Sequence, residues 1–153
     1  MSFFTRDLDS ILRGDIVGIK PQLAPSGTIS GSYIDRLSKR ASDGSAELYD
    51  SMFITAMTGA TTGGAPGVVF SVNDADDASG TNALAYTPPN ASAAAAVTLS
   101  GQTGSNSAKG LGVDLSGARR YVNIQAVVTE SGSFTVGIAA GVALGGAKQN
   151  PGA

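Results

Sequence analysis

From Arg120 to Thr129 the chain alternates without interruption, with Val122, Ile124, Ala126 and Val128 on one side and Tyr121, Asn123 and Gln125 on the other. A period of two belongs to a strand with one buried face; a helix would scatter these apolar side chains around its circumference. A central strand is therefore predicted here. After Glu130-Ser131-Gly132 the run Ser133 to Ala143 repeats the pattern, with Phe134, Val136, Ile138, Ala140 and Val142 inward. The two runs are expected to form an antiparallel hairpin. The other side of the second run is Thr135, Gly137, Ala139, Gly141 and Ala143, nearly bare of side chains. Something can approach that backbone closely, so a covered face or a subunit contact is expected there.

The same period recurs upstream. In Ala46 to Met57, Leu48, Met52, Ile54 and Ala56 share one face, and Tyr49, Ser51, Phe53 and Thr55 the other. Val68, Phe70 and Val72 mark another strand, ending in the turn-forming run Asn73 to Gly80. Ala93 to Leu99 and Leu111 to Leu115 are weaker strand candidates on either side of the polar loop Ser100 to Gly110. Short strands spaced by glycine, serine, asparagine and aspartate, with no long helical pattern, predict an all-β antiparallel sandwich with a jelly-roll connection.

This sandwich is expected over residues 32–146, between an N-terminal arm at 1–31 and a loose tail at 147–153. In the arm, Phe3, Phe4, Leu8, Ile11 and Leu12 suit a turn or two of amphipathic helix, which Gly14, Gly18, Pro21, Pro25 and Gly27 prevent from growing. Its apolar residues need a surface, on this domain or on a neighbour.

Composition narrows the function. Only 6% of the 153 residues are aromatic and much of the 42% hydrophobic fraction is alanine, so the core is expected to be thin. Charged residues make up 14%, against roughly 25% in an average domain, which fits a protein that hides surface against partners. Without cysteine there are no disulfides, thiolate metal sites or cysteine nucleophiles, and without histidine no serine-histidine-acid triad. A net charge of −2 provides no basic field for nucleic acid. The first residues carry acids and no apolar core of a secretory signal, so synthesis in the cytoplasm is expected. The longest apolar stretch, Phe134 to Leu144, is about half of the roughly 20 residues a membrane helix requires, so no membrane span is expected.

The motifs are weak as chemistry. Asp74, Asp76 and Asp77 invite a calcium reading, but counting twelve positions from Asn73, Asp74 or Asp76 reaches Leu84, Ala85 or Thr87, where an EF-hand needs glutamate. A solvated loop without metal is expected. Gly110-Leu-Gly112 lacks the third glycine of a dinucleotide fingerprint, so no cofactor is expected. Glu47 and Asp50 point to opposite faces of a strand and do not converge as a catalytic carboxylate pair, and no enzymatic activity is expected. The basic pairs Lys39-Arg40 and Arg119-Arg120 suit either an exposed position or a salt bridge to a neighbouring subunit.

The segment Gly117-Ala-Arg-Arg-Tyr-Val-Asn-Ile-Gln-Ala-Val-Val-Thr129, followed by Ser133-Phe-Thr-Val-Gly-Ile and Ala143-Leu-Gly-Gly, resembles the closing hairpin of a family of small tailed-phage head decoration, or cement, proteins. Tyr33-Ile-Asp-Arg36, Glu47 to Met57, Val68 to Val72 and the acids at 74–77 resemble the same family's earlier strands in the same order. The resemblance covers roughly residues 32–151. It implies a β-sandwich subunit, commonly a trimer, bound to the outer capsid surface of a virion, where it reinforces contacts between major capsid proteins. It implies no catalytic residues. Phe3, Phe4, Leu8, Ile11, Leu12, Arg119 and Arg120 are the candidate capsid or subunit contacts. The ending Ala147 to Ala153 is less basic, and the N-terminal segment longer, than in the family pattern. The rival reading is a carbohydrate- or receptor-binding sandwich of a head fibre or surface module; with no tryptophan, Tyr33, Tyr49, Tyr86 and Tyr121 would have to supply its platforms.

Overall fold

The computed structural model describes residues 12–39, 46–61, 64–100, 106–129 and 134–147, and among them every regular element is a strand. In chain order these are β1 (Leu12–Ala24), β2 (Gly27–Ser30), β3 (Ile34–Asp35), β4 (Leu37–Lys39), β5 (Ala46–Thr61) and β6 (Gly67–Ala75). They are followed by β7 (Leu84–Ala85), β8 (Ala96–Ser100), β9 (Ser107–Asp114), β10 (Tyr121–Thr129) and β11 (Val136–Ala147). One sheet runs β1-β11-β5, with β9 and β4 both on the far side of β5. The other has β10 and β6 at its centre, with β2 and β3 beside β10, and β8 and β7 beside β6. All pairings are antiparallel.

The alternation explains how the sheets meet. Val68, Phe70 and Val72 of β6 and Val122, Ile124, Ala126 and Val128 of β10 form one inner face. Met52, Ile54 and Ala56 of β5 and Val136, Ile138, Ala140, Val142 and Leu144 of β11 form the other. Facing layers of this kind are a β-sandwich, as the spacing of the apolar runs predicts.

Two expectations are corrected. The first is the hairpin of Arg120–Thr129 with Ser133–Ala143: β10 pairs with β2, β3 and β6, while β11 pairs with β1 and β5 in the opposite sheet. Two apolar faces are buried as well by facing one another across a core as by lying side by side, and period two does not distinguish these arrangements. The interval from Thr129 to Val136 is long enough to cross the roughly 10 Å between packed sheets. Residues 130–133, where the turn was expected, lie outside the described residues.

The second is the arm at 1–31. Residues 1–11 lie outside the described part, but 12–30 are built into the sandwich as β1 and β2, one in each sheet. Ile19 and Ala24 are buried in the common core. Gly18 and Pro21 do exclude a helix, yet β1 is an edge strand, where proline is tolerated. Pro21 falls in a register shift between the pairs Ile19↔Ala140 and Gln22↔Ile138. Gly18 lies at the seam between the sheets: a Cβ there would stand 2.8 Å from both Ile124 and Val142. A Cβ on Gly31 would run into the carbonyl oxygen of Gly18, while the Gly31 N–H donates to the Ile124 carbonyl at 2.8 Å. The two glycines allow β1 to lie against the edge of the opposite sheet.

Smaller differences follow from the same packing. Asn73 and Asp74 belong to β6 and not to the loop after it, β11 continues through Ala147, and Tyr49 is buried although Ser51 and Phe53 beyond it face outward. Residues 148–153 of the expected tail lie outside the described residues. Gly31→Ala should destabilise the fold by ~3 kcal/mol, the upper end of the usual overpacking range, measured by denaturant unfolding. Gly112→Ala, where nothing lies within 4 Å of an added Cβ, should cost far less.

Candidate functional site

Residues opposite one another in an antiparallel pair share a face, so the register defines what the β1-β11-β5-β9 sheet presents outward. β11 contributes Gly137, Ala139, Gly141 and Ala143; β5 contributes Ser51, Phe53, Thr55 and Met57. Ala108, Gly110 and Gly112 of β9 lie opposite Met57, Thr55 and Phe53, and Val17 and Leu23 of β1 lie opposite Gly141 and Gly137. None of these residues is charged. The first acid is Asp114, at the end of β9 opposite Ser51.

Most of this floor is glycine and alanine, and four large side chains rise from it: Val17, Leu23, Phe53 and Met57, at 54%, 73%, 52% and 40% exposure. Among the described residues only one other large apolar side chain, Leu84, is comparably exposed. The Phe53 ring lies across Gly110, where a Cβ would collide with it. Gly59 and Gly137 lie back to back, an added Cβ on Gly59 standing 3.4 Å from the Gly137 Cα. The relief forms two open grooves. One, of about 590 Å³, lies between Leu23 and Met57 over Gly59, Gly137 and Ala139. The other, of about 420 Å³, lies beside Phe53 over Gly112, Ala143 and Gly145 and is rimmed by Asp50 and Asp114.

The outer face of the second sheet differs in kind. Ser71, Asn73, Asn123 and Gln125 occupy its two central strands, with Thr98 on β8 and Ser30 on β2. Gln125 donates to the Ser30 hydroxyl at 3.3 Å. The face is largely polar, although it also carries the pair Val69↔Val127, and Asn123, expected to point outward, is buried with its amide donating to the Gly31 carbonyl at 3.3 Å. The first sheet's face is suited to apolar contact, and contiguous exposed apolar surface of this type marks interaction sites.

Charged groups gather at one end of the sandwich, around a fully buried arginine. Arg36 donates from Nε and Nη2 to the Tyr49 carbonyl, at 3.0 and 2.7 Å, and from Nη1 to the carbonyls of Ala118 and Arg119. Burial pushes this guanidinium below its ordinary pKa, opposed by the charge of Asp50, whose carboxylate is 3.9 Å away. The planar fork thereby ties β5 to the segment leading into β10.

That segment delivers the two predicted arginines to carboxylates of their own chain. Arg119 donates to Asp74 Oδ1 and Asp76 Oδ1, both at 2.8 Å, and to the carbonyls of Asp74 and Asn82. Arg120 grips Asp35 with two hydrogen bonds of 2.8 and 2.6 Å, and its guanidinium lies 5.1 Å from the Tyr121 ring centroid. Neither arginine lies on the apolar face. The acidic loop is likewise internally tied: Asp77 accepts from the backbone N–H groups of Ser79 and Thr81 and from the Thr81 hydroxyl. Burial disfavours the Asp74 carboxylate, but hydrogen bonds from the Arg119 side chain and backbone and the Arg119 charge outweigh it, holding the group below its ordinary value of 3.8. Of the other candidate contacts, Phe3, Phe4, Leu8 and Ile11 lie outside the described residues, and Leu12 begins β1 opposite Gly145.

Arg36→Ala would strand buried carbonyls and should cost about 3–5 kcal/mol; Arg36→Lys, lacking the fork, should recover little of this in thermal unfolding. Because the folded Asp74 carboxyl titrates below 3.8, its ion pair contributes stability fully above that pH, and the contribution is lost as pH falls through the lower folded value. Asp74→Asn should therefore reduce stability at neutral pH and flatten the acid limb of a stability-against-pH curve. Set against known proteins, the chain matches no family model and no curated protein.

Proposed function

We propose that this chain is a structural protein of a tailed-phage virion, a decoration subunit that binds the outer capsid surface, joins major capsid proteins and carries out no catalysis. The observation that supports the reading best is the glycine- and alanine-rich outer face of the β1-β11-β5-β9 sheet, whose exposed Val17, Leu23, Phe53 and Met57 are not needed to close the core. A subunit that spends its life in an assembly gains by burying such a face, and association also adds stability to a core built largely of valine and alanine. The resemblance in Arg119-Arg120-Tyr121-Val122 and the strands around it points the same way, toward a trimer on the shell. In this reading the connection is a jelly roll, supported by the order of the long strands, β1-β11-β5-β9 in one sheet and β2-β10-β6-β8 in the other.

The carbohydrate-binding alternative loses most of its platforms. Tyr49 and Tyr86 are buried, and Tyr121 lies beneath the Arg120 guanidinium.

Heads assembled from the cognate major capsid protein should carry the purified chain with them in sedimentation. The double variant Phe53→Asp/Met57→Asp should lose at least about tenfold in occupancy, equivalent to ~1.4 kcal/mol, while its unfolding midpoint changes little because both side chains are exposed. A wild-type chain left entirely in the supernatant, with robust binding on a glycan array, would reverse the assignment.

A further inference from the structure

The apolar face requires an occupant, and we propose that it is residues 1–11 of a second copy of this chain, so that subunits associate by exchanging N-terminal arms. The proposal stands apart from the capsid reading: the face is buried between subunits, and the Phe53→Asp/Met57→Asp variant then loses occupancy on heads through loss of the oligomer.

The arm and the face match in chemistry and length. Residues 1–11 contain Phe3, Phe4, Leu8 and Ile11, and neither glycine nor proline. Eleven residues extend to about 36 Å. Along β11, the eight-residue step from Gly145 to Gly137 carries the face from one groove to the other, a span of about 27 Å. Glycine and alanine along that path leave room for the backbone of a crossing chain, and the groove beside Met57 and Leu23 is wide enough for aromatic side chains.

Direction and charge favour a neighbour's arm over the chain's own. β1 starts at Leu12, opposite Gly145 and near the end of β11, and runs antiparallel to it, so an arm that continued its direction would leave the sheet at that end. To lie on its own face, the arm would have to reverse beside Leu12 without a glycine or proline. Arg6, Asp7 and Asp9, one cation against two acids, would then be brought over the nearer groove, whose rim already carries Asp50 and Asp114. A neighbour's arm that enters from the Leu23 end needs no reversal, and places Phe3 and Phe4 in the farther groove, which no charged residue lines, without crossing the nearer one.

The chain has no tryptophan, so Phe4→Trp in the full-length protein gives a single reporter of the arm. At concentrations where light scattering shows an oligomer its emission should be blue-shifted, moving to the red as dilution dissociates the subunits. Adding Phe53→Asp/Met57→Asp to the reporter chain should weaken its self-association and abolish the blue shift. An excess of wild-type chain, itself free of tryptophan, should restore the shift by supplying an intact face. Blue emission that persists in the diluted monomer would place the arm on its own sheet and overturn the proposal. Red emission at every concentration, or failure of the wild-type chain to rescue, would overturn it as well. Sedimentation with heads is a separate measurement, so loss of the exchange does not decide the capsid reading.

Discussion

A pleated strand that buries every second side chain must present the remainder, and this constraint organises the molecule. The inner sets on β5, β6, β10 and β11 interlock as the core, and folding requires nothing further of the outer sets. On the β6 and β10 side the outer set is mostly hydroxyl and amide, with the pair Val69↔Val127 among them. On the β5 and β11 side it is glycine, alanine, valine, phenylalanine and methionine. The core closes without these exposed apolar residues, and the proposed association rests on them. The interior points the same way: Phe70 is its only fully buried phenylalanine among the described residues, and most of its neighbours are aliphatic.

The charged end works by a different balance. Removing a guanidinium from water is costly, and at Arg36 the cost is offset by three carbonyl groups and the nearby Asp50 carboxylate. That anchoring sets the path of residues 115–120 and so brings Arg119 to Asp74 and Asp76, and Arg120 to Asp35. The acidic loop that invites a metal in the sequence instead meets a cation of its own chain. The ion pairs hold this end of the sandwich together.

Together the two regions describe a sandwich with a tied-off end, a largely polar face and an apolar face. The glycines serve the contact face in two ways. Gly110 makes room for the Phe53 ring, and Gly59 with Gly137 lowers the floor of the larger groove. A larger residue at any of these positions would fill the relief that the proposed occupant needs.

The sequence by itself determined the strands whose apolar residues alternate, because period two is local and survives without knowledge of neighbours: Val122 to Val128, Val136 to Val142, and Val68 to Val72 all face the core as their spacing requires. It did not mark β1 and β2, where glycine and proline interrupt the period. It also marked Phe53 as outward and the far side of Gly137 to Ala143 as bare. Tertiary structure alone decided which edges pair. That β10 and β11 face one another instead of forming a hairpin, that β1 and β2 belong to opposite sheets, and that Phe53, Met57, Val17 and Leu23 converge on one face all depend on contacts between residues far apart in the chain. Arg36 was silent for the same reason. Its acceptors are main-chain carbonyls of Tyr49, Ala118 and Arg119, and a carbonyl has no residue type that a sequence pattern can register.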